Sequence, residues 1–229
     1  MSLKNFFTVV YEDNHLLVVN KSPGVLVQGD ATGDKPLVEH CKEYIKEKFN
    51  KPGAVFLGGV RSINRQESGL VVLARTSKAL ERMNELFRER ETQKTYWAVV
   101  NNKPAKESGT LVHWLLKDEK KNKTTAFSRE TSGALRSELG YTIIAQAHHL
   151  YLLEITPITG RPHQIRVQLA SMGCPIVGDV KYGYPDANGD GSINLHARRL
   201  EFIHPVKKES IALEAPLPEN GFWNNFRNI

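Results

Sequence analysis

Short apolar blocks and two-residue alternation recur along most of the chain, so strands dominate the pattern. Residues 6–11 (FFTVVY) and 15–20 (HLLVVN) are β-rich runs split by Glu12-Asp13-Asn14, which predicts a hairpin, and Lys21-Ser22-Pro23-Gly24 follows as a turn. Between Pro36 and Phe49, the residues Leu37, Cys41, Tyr44, Ile45 and Phe49 recur at helical spacing. Asp34 is a start signal for that helix and Lys51-Pro52-Gly53 ends it. Residues 54–60 (AVFLGGV) and 69–75 (GLVVLAR) read as buried strands with a polar turn between them. Ser77 is placed to cap a second helix with the stripe Leu80, Met83, Leu86 and Phe87. Residues 93–100 (QKTYWAVV) predict a further strand.

Beyond it, strands are expected near 109–115, 135–145, 149–156, 193–203 and 210–214. The charged stretch Lys117–Lys123 has no periodicity and reads as a solvated loop. A short helix is predicted over 161–172, with Pro162 at its first position and Gly173 past its end. Residues 182–192 form a polar loop in which Asp186, Asn188 and Asp190 alternate like a calcium loop. No acid stands at the later position such a loop needs, so a plain loop is the reading. Many strands and few helices, not in alternation, argue for an α+β fold, and the expectation is one domain over residues 1–229.

Composition narrows the class. With 40% hydrophobic and 24% charged residues the chain can bury a core, which excludes global disorder. No apolar run reaches the roughly 18 residues of a membrane span, and the start is not that of a signal peptide. Two cysteines, Cys41 and Cys174, cannot build a disulfide framework or a four-thiolate zinc site, so reduced thiols in a cytoplasmic protein are expected. The net charge of +6 suits a polyanionic partner without singling one out. Dinucleotide and P-loop phosphate motifs are absent, as are zinc spacing and the hydrolase nucleophile elbow.

Three clusters could carry chemistry. The first, Gly59 to Gly69 between two apolar strands, displays Arg61, Asn64, Arg65 and Glu67, although composition alone favours a plain connecting loop. The second is Lys94-Thr95-Tyr96-Trp97-Ala98, where Tyr96 and Trp97 face opposite sides of a strand. The third is Thr159-Gly160-Arg161-Pro162-His163-Gln164-Ile165-Arg166, where two arginines and a histidine gather at a helix start, a setting for an anion.

Together these clusters resemble the RluA class of RNA pseudouridine synthases. The third matches that family's T-G-R-x-H-Q-I-R pattern at every fixed position. Leu195-His196-Ala197-Arg198-Arg199-Leu200, with Phe202 and His204-Pro205, resembles its L-H-A-x-x-L-x-F-x-H-P. The K-x-Y-x-A strand is met by Lys94, Tyr96 and Ala98, and the opening Leu16 to Lys21 with Pro23-Gly24 also fits. The likeness runs from about residue 8 to 215, and a separate N-terminal RNA-binding module is not expected. It implies a mixed, mostly antiparallel sheet with flanking helices and a central cleft. It also implies isomerisation of uridine to pseudouridine in structured ribosomal or transfer RNA, by a monomer that needs no cofactor and no metal. In the implied site, Arg61, Arg65, Lys94, Arg161 and His163 hold RNA, Tyr96 lies against the base, and Arg166 pairs with a catalytic carboxylate.

The first cluster departs from the family's H-R-L-D-R-x-x-S-G. Arg65, Ser68 and Gly69 keep the frame, but the nucleophilic aspartate falls on Asn64 and an arginine falls on Ser62. An amide is a poor nucleophile and a poor base, and it leaves Arg166 without its anionic partner. Three accounts stay open. The chain is a relative that binds RNA without isomerising it; or Asn64 is an engineered trap, which leaves Arg61 and Ser62 unexplained; or Glu67, one helical turn on, is a substitute carboxylate.

Overall fold

The computed structural model describes residues 6–29, 33–60, 63–219, 221–227 and 229. By contact density the chain divides into two compact units. The first takes the residues up to Lys94 together with His196–Pro218, and the second takes Thr95–Leu195 with Glu219–Ile229.

In the first unit, β1 (Phe7–Glu12) and β2 (Leu16–Lys21) form the expected hairpin. Its turn closes because Asp13 Oδ1 accepts from the N–H groups of His15 and Leu16, both at 2.8 Å. Leu16, Leu17, Val18 and Val19 are buried on both faces of β2, and each such side chain removes about 1.5–3 kcal/mol of apolar surface from water. After β3 (Gly58–Gly59), β4 (Ser68–Ala74) runs antiparallel to β2, with Lys21 opposite Gly69. β10 (Leu195–Ile203) lies parallel to β4 at Ser68–His196, and β11 (Ser210–Glu214) is antiparallel to β10. Gly69 has φ +112°, and a Cβ there would stand 2.4 Å from the Ala197 carbonyl oxygen, so only glycine lets the strands approach this closely. Beside it, the Ser68 hydroxyl lies 2.8 Å from His196 Nδ1, while His196 Nε2 is 3.2 Å from the Ala215 carbonyl. A carbonyl can only accept, so Nε2 carries the proton and Ser68 donates to Nδ1. Burial pushes His196 down to about 4, which keeps it neutral in this staple.

Helices α1 (Leu37–Lys48) and α2 (Ser77–Arg88) belong to this unit. Leu37, His40, Cys41 and Ile45 form the buried face of α1, close to the predicted stripe. Two start signals are corrected. Asp34 lies too far upstream to cap α1, whose N-cap is Pro36, and Thr76 rather than Ser77 caps α2, its Oγ1 accepting from the Ala79 N–H at 3.2 Å. The strand expected over 54–60 shrinks to Gly58–Gly59, and Phe56, expected to be buried, is exposed.

The second unit is an antiparallel sheet in the order β5 (Gln93–Val100), β9 (Leu150–Pro157), β8 (Leu135–Ala147), β6 (Ser108–Asp118), β7 (Lys123–Phe127), with β5 beginning in the first unit. The charged stretch after Leu116 is a tight hairpin tip rather than a loop: Asp118 Oδ1 accepts from the Lys121 N–H at 3.0 Å and the chain returns as β7. Helix α3 spans Gln164–Ser171, shorter than predicted. Pro162 precedes it in a turn, and His163 takes the left-handed φ of 55°, which no helix interior tolerates. Gly173, at φ +80°, closes α3 as expected. A buried cluster of Leu115, Val167 and Tyr182, with Ala126 and Ala170 against it, seats α3 beside β6 and β7. The final 3-10 turn, Gly221–Phe226, buries Trp223 and Phe226. Cys41 and Cys174 are both free and buried. Among the described residues, no helix is long and apolar enough to cross a membrane.

Candidate functional site

The candidate residues fall into two groups, one in each unit. In the first unit the loop before β4 carries Asn64, Arg65 and Glu67; Arg61 and Ser62 lie outside the described residues. The loop is tied at both ends. Buried Ile63 anchors its start, and Ser68 and Gly69 enter the sheet. Asn64 and Glu67 close the turn reciprocally: the Glu67 N–H donates to the Asn64 carbonyl at 3.1 Å, and Glu67 Oε2 accepts from the Asn64 N–H at 3.1 Å. The Asn64 side-chain Nδ2 donates to Glu67 Oε1 in a further close bond. Glu67 is buried, Asn64 half-buried.

Underneath lies a group that sequence reading passed over as part of the opening motif. Lys21, 1% exposed at the end of β2, donates to the carbonyls of Ser22 at 2.9 Å, Arg65 at 3.2 Å and Glu67 at 2.7 Å. Burial pulls its ammonium from 10.5 down to about 7, against the opposing pull of Glu67. The signal that could have found it is a lysine closing a strand that opens with four aliphatics, where a buried cation needs acceptors. Arg65, expected to hold RNA, donates through Nε to the Gly24 carbonyl at 2.9 Å and pairs through Nη2 with Asp34 at 2.7 Å, so it also ties the loop to the Pro23-Gly24 turn.

In the second unit, Tyr96 is buried on β5 opposite Ile155, and Trp97 stands opposite Glu154, its Nε1 3.4 Å from Glu154 Oε2. Lys94 is half-buried at the first-unit end of β5. The turn before α3 is organised by Gln164: its Oε1 accepts from Thr159 Oγ1 at 2.8 Å and from the Arg161 N–H at 2.9 Å, and its Nε2 donates to the Glu138 carbonyl at 3.0 Å. Arg161 Nε is buried and has no acceptor among the described residues.

His163 and Arg166 do share a face, as their spacing predicts, and both meet Tyr182. The Tyr182 oxygen accepts from the Thr124 N–H at 2.9 Å and shares a hydrogen bond of 2.8 Å with His163 Nδ1. The Arg166 guanidinium sits 5.0 Å from the Tyr182 ring centre. The expectation that an amide at position 64 leaves Arg166 without an anion is corrected, because Asp179 grips it from within the second unit. Nε bonds to Oδ2 and Nη2 to Oδ1, each at 2.7 Å, with both side chains at most 2% exposed. His163, counted among the cations of an anion site, is neutral at physiological pH: burial first, then Arg166 and Lys181, push it down to about 4.

No group of three or more metal-ligating side chains occurs among the described residues. In the 182–192 loop, Asp190 Oδ1 accepts from the Ser192 N–H at 2.9 Å. It borders a cavity of about 440 Å3 that none of the sequence-predicted site residues lines.

The profile of a family described as RNA pseudouridylate synthase matches residues 15–171. Ribosomal large subunit pseudouridine synthase C of Vibrio cholerae serotype O1 is 33% identical over 215 residues, covering 91% of this chain and 65% of that protein. The protein of the same name from Rickettsia felis is 30% identical over 211 residues, covering 92% of this chain and 67% of its own length. The chain thus spans about two thirds of the length of these relatives. Among solved structures, human RNA pseudouridylate synthase domain containing 4 superposes with a TM-score of 0.77 at 25% identity, covering 92% of this chain and 88% of that one. Human RNA pseudouridylate synthase domain containing 1 shares the fold, with a TM-score of 0.74 at 22% identity over 95% of this chain and 86% of that one.

Proposed function

The chain belongs to the RNA pseudouridylate synthase family, and from that premise we propose that it takes a uridine in structured ribosomal or transfer RNA and, with Asn64 where the family carries its aspartate, turns it over weakly or not at all. Isomerisation breaks the bond between uracil N1 and ribose C1′, turns the base and rejoins it through C5. It needs a carboxylate to attack or deprotonate the sugar. An amide supplies neither a nucleophile nor a base, and losing such a group commonly costs on the order of 10⁴-fold in rate. What remains is retention of RNA by a cytoplasmic monomer that uses no cofactor and no metal. Arg61, Arg65, Lys94 and Arg161 contact phosphates. Arg161 is suited to this because its buried Nε has no acceptor among the described residues. His163 contributes a hydrogen bond rather than a charge, Tyr96 meets the base, and Arg166 holds its place through Asp179.

The observation that carries this reading is the Asn64 side chain, whose nitrogen donates to Glu67. A second reading, isomerisation with Glu67 as the acting carboxylate, is favoured by that same closeness, but both Glu67 oxygens already accept from Asn64. The test is the affinity for a structured RNA across salt concentrations. The logarithm of the affinity should fall linearly with the logarithm of salt, with a slope reporting several phosphate contacts, and a flat line contradicts the proposal.

A further inference from the structure

We propose that Glu67 is a positioning residue that locks the Asn64 amide with its nitrogen inward and its oxygen outward, and that bars an ionised carboxylate from position 64. A carboxylate can only accept hydrogen bonds, so of the two ends of an amide only the nitrogen can face it. The Asn64 Nδ2 does so, and the Asn64 backbone N–H fills the other Glu67 oxygen at 3.1 Å. Glu67 is 6% exposed, and its own N–H is bonded back to the Asn64 carbonyl at 3.1 Å, which fixes the turn that carries both side chains. Lys21 beneath the loop fixes the Glu67 carbonyl at 2.7 Å. The Asn64 Oδ1 has no partner among the described residues, which leaves a neutral acceptor for a ribose hydroxyl or a base N–H of the bound nucleotide.

An acid at position 64 would place two carboxylates within hydrogen-bond distance, and such a pair shares one proton instead of ionising twice. The amide at 64 and the acid at 67 therefore belong together, and changing one without the other is unfavourable. That the outward oxygen meets a nucleotide rests on the RNA reading above; the lock and the barred charge do not.

The test uses the protein without RNA, so its outcome is separate from whether RNA is bound. In Asn64→Asp, with aspartate carboxyls ¹³C-labelled, the introduced carboxyl should titrate at least about one pH unit higher than in Asn64→Asp/Glu67→Gln, where the neighbouring charge is gone. Equal midpoints overturn the proposal. Should Asn64→Asp fail to fold, the native chain gives a second readout. The two Asn64 side-chain amide protons, held by a carboxylate, should resonate apart from those of exposed asparagines and move to the ordinary positions in Glu67→Ala. Amide resonances that stay where they were in Glu67→Ala overturn it as well.

Discussion

In the second unit, a guanidinium and a carboxylate at most 2% exposed close on each other through two bonds of 2.7 Å, with an aromatic ring beneath the cation. In the first, an ammonium 1% exposed bonds to three backbone carbonyls, and the nearby carboxylate of Glu67 spends both oxygens on an amide. The first arrangement matches every charge with an opposite charge of fitting shape, so it fixes the geometry of both side chains. The second matches charge with dipoles, and its ammonium sits at about 7, where protonation is sensitive to conditions. The difference separates a charge-paired platform from a loop whose sequence departs from the family pattern. The segment around Arg166 keeps the family pattern in sequence while its guanidinium is held by Asp179, and the Asn64 loop departs from that pattern.

The largest expected effect comes from making the rigid pair resemble the altered loop. Asp179→Asn puts an amide opposite Arg166 and leaves a buried guanidinium uncompensated. Urea unfolding should show a loss of about 3–5 kcal/mol, and a loss under 1 kcal/mol would mean that solvent reaches the pair. Next is Lys21. Its folded value of about 7 lies below the ordinary 10.5, so between these the unfolded chain binds the more protons. Its contribution is least favourable below pH 7 and improves as pH rises to 10.5. Subtracting Lys21→Met from the native chain should therefore leave a difference that shifts toward the native protein across that window; a difference without slope contradicts the burial of the ammonium.

A smaller effect of the same sign belongs to His163, lowered from 6.5 to about 4. The unfolded chain binds more protons between these values, so the native protein should lose stability as pH falls through that window. His163→Gln should not show that part of the acid limb, and an unchanged limb would assign it to other groups. Smallest in absolute terms is the rate gained by Asn64→Asp, which Glu67 holds low; tritium release should rise further in Asn64→Asp/Glu67→Gln. Equal release from the two variants would remove Glu67 from the account.

Much of the scaffold was legible because it rests on local pattern. β5 and β11 match the predicted ranges, and the first hairpin is set by Asp13 between two apolar runs. Where the reading failed, a contact distant in sequence had overridden the local signal. Pro162 at a helix start is a sound expectation, but the Gln164 side chain, bonded to Thr159 and to the Glu138 carbonyl, holds the preceding turn open. Asp179 and Tyr182 were invisible as partners of Arg166 and His163, since nothing in their spacing marks a pairing 13 or 19 residues away. Glu67 was legible as a carboxylate one turn from Asn64. That it accepts from Asn64 twice, and so fixes the amide's direction, needs the hydrogen bonds themselves.

The account turns on whether position 64 still supports chemistry, and tritium release from RNA labelled with [5-³H]uridine measures that directly, since rejoining the base through C5 expels the label. The native chain is expected to leave the tritium on the RNA it binds. Release at a rate typical of an enzyme would contradict the account and return Glu67, or Asn64 itself, to the reaction.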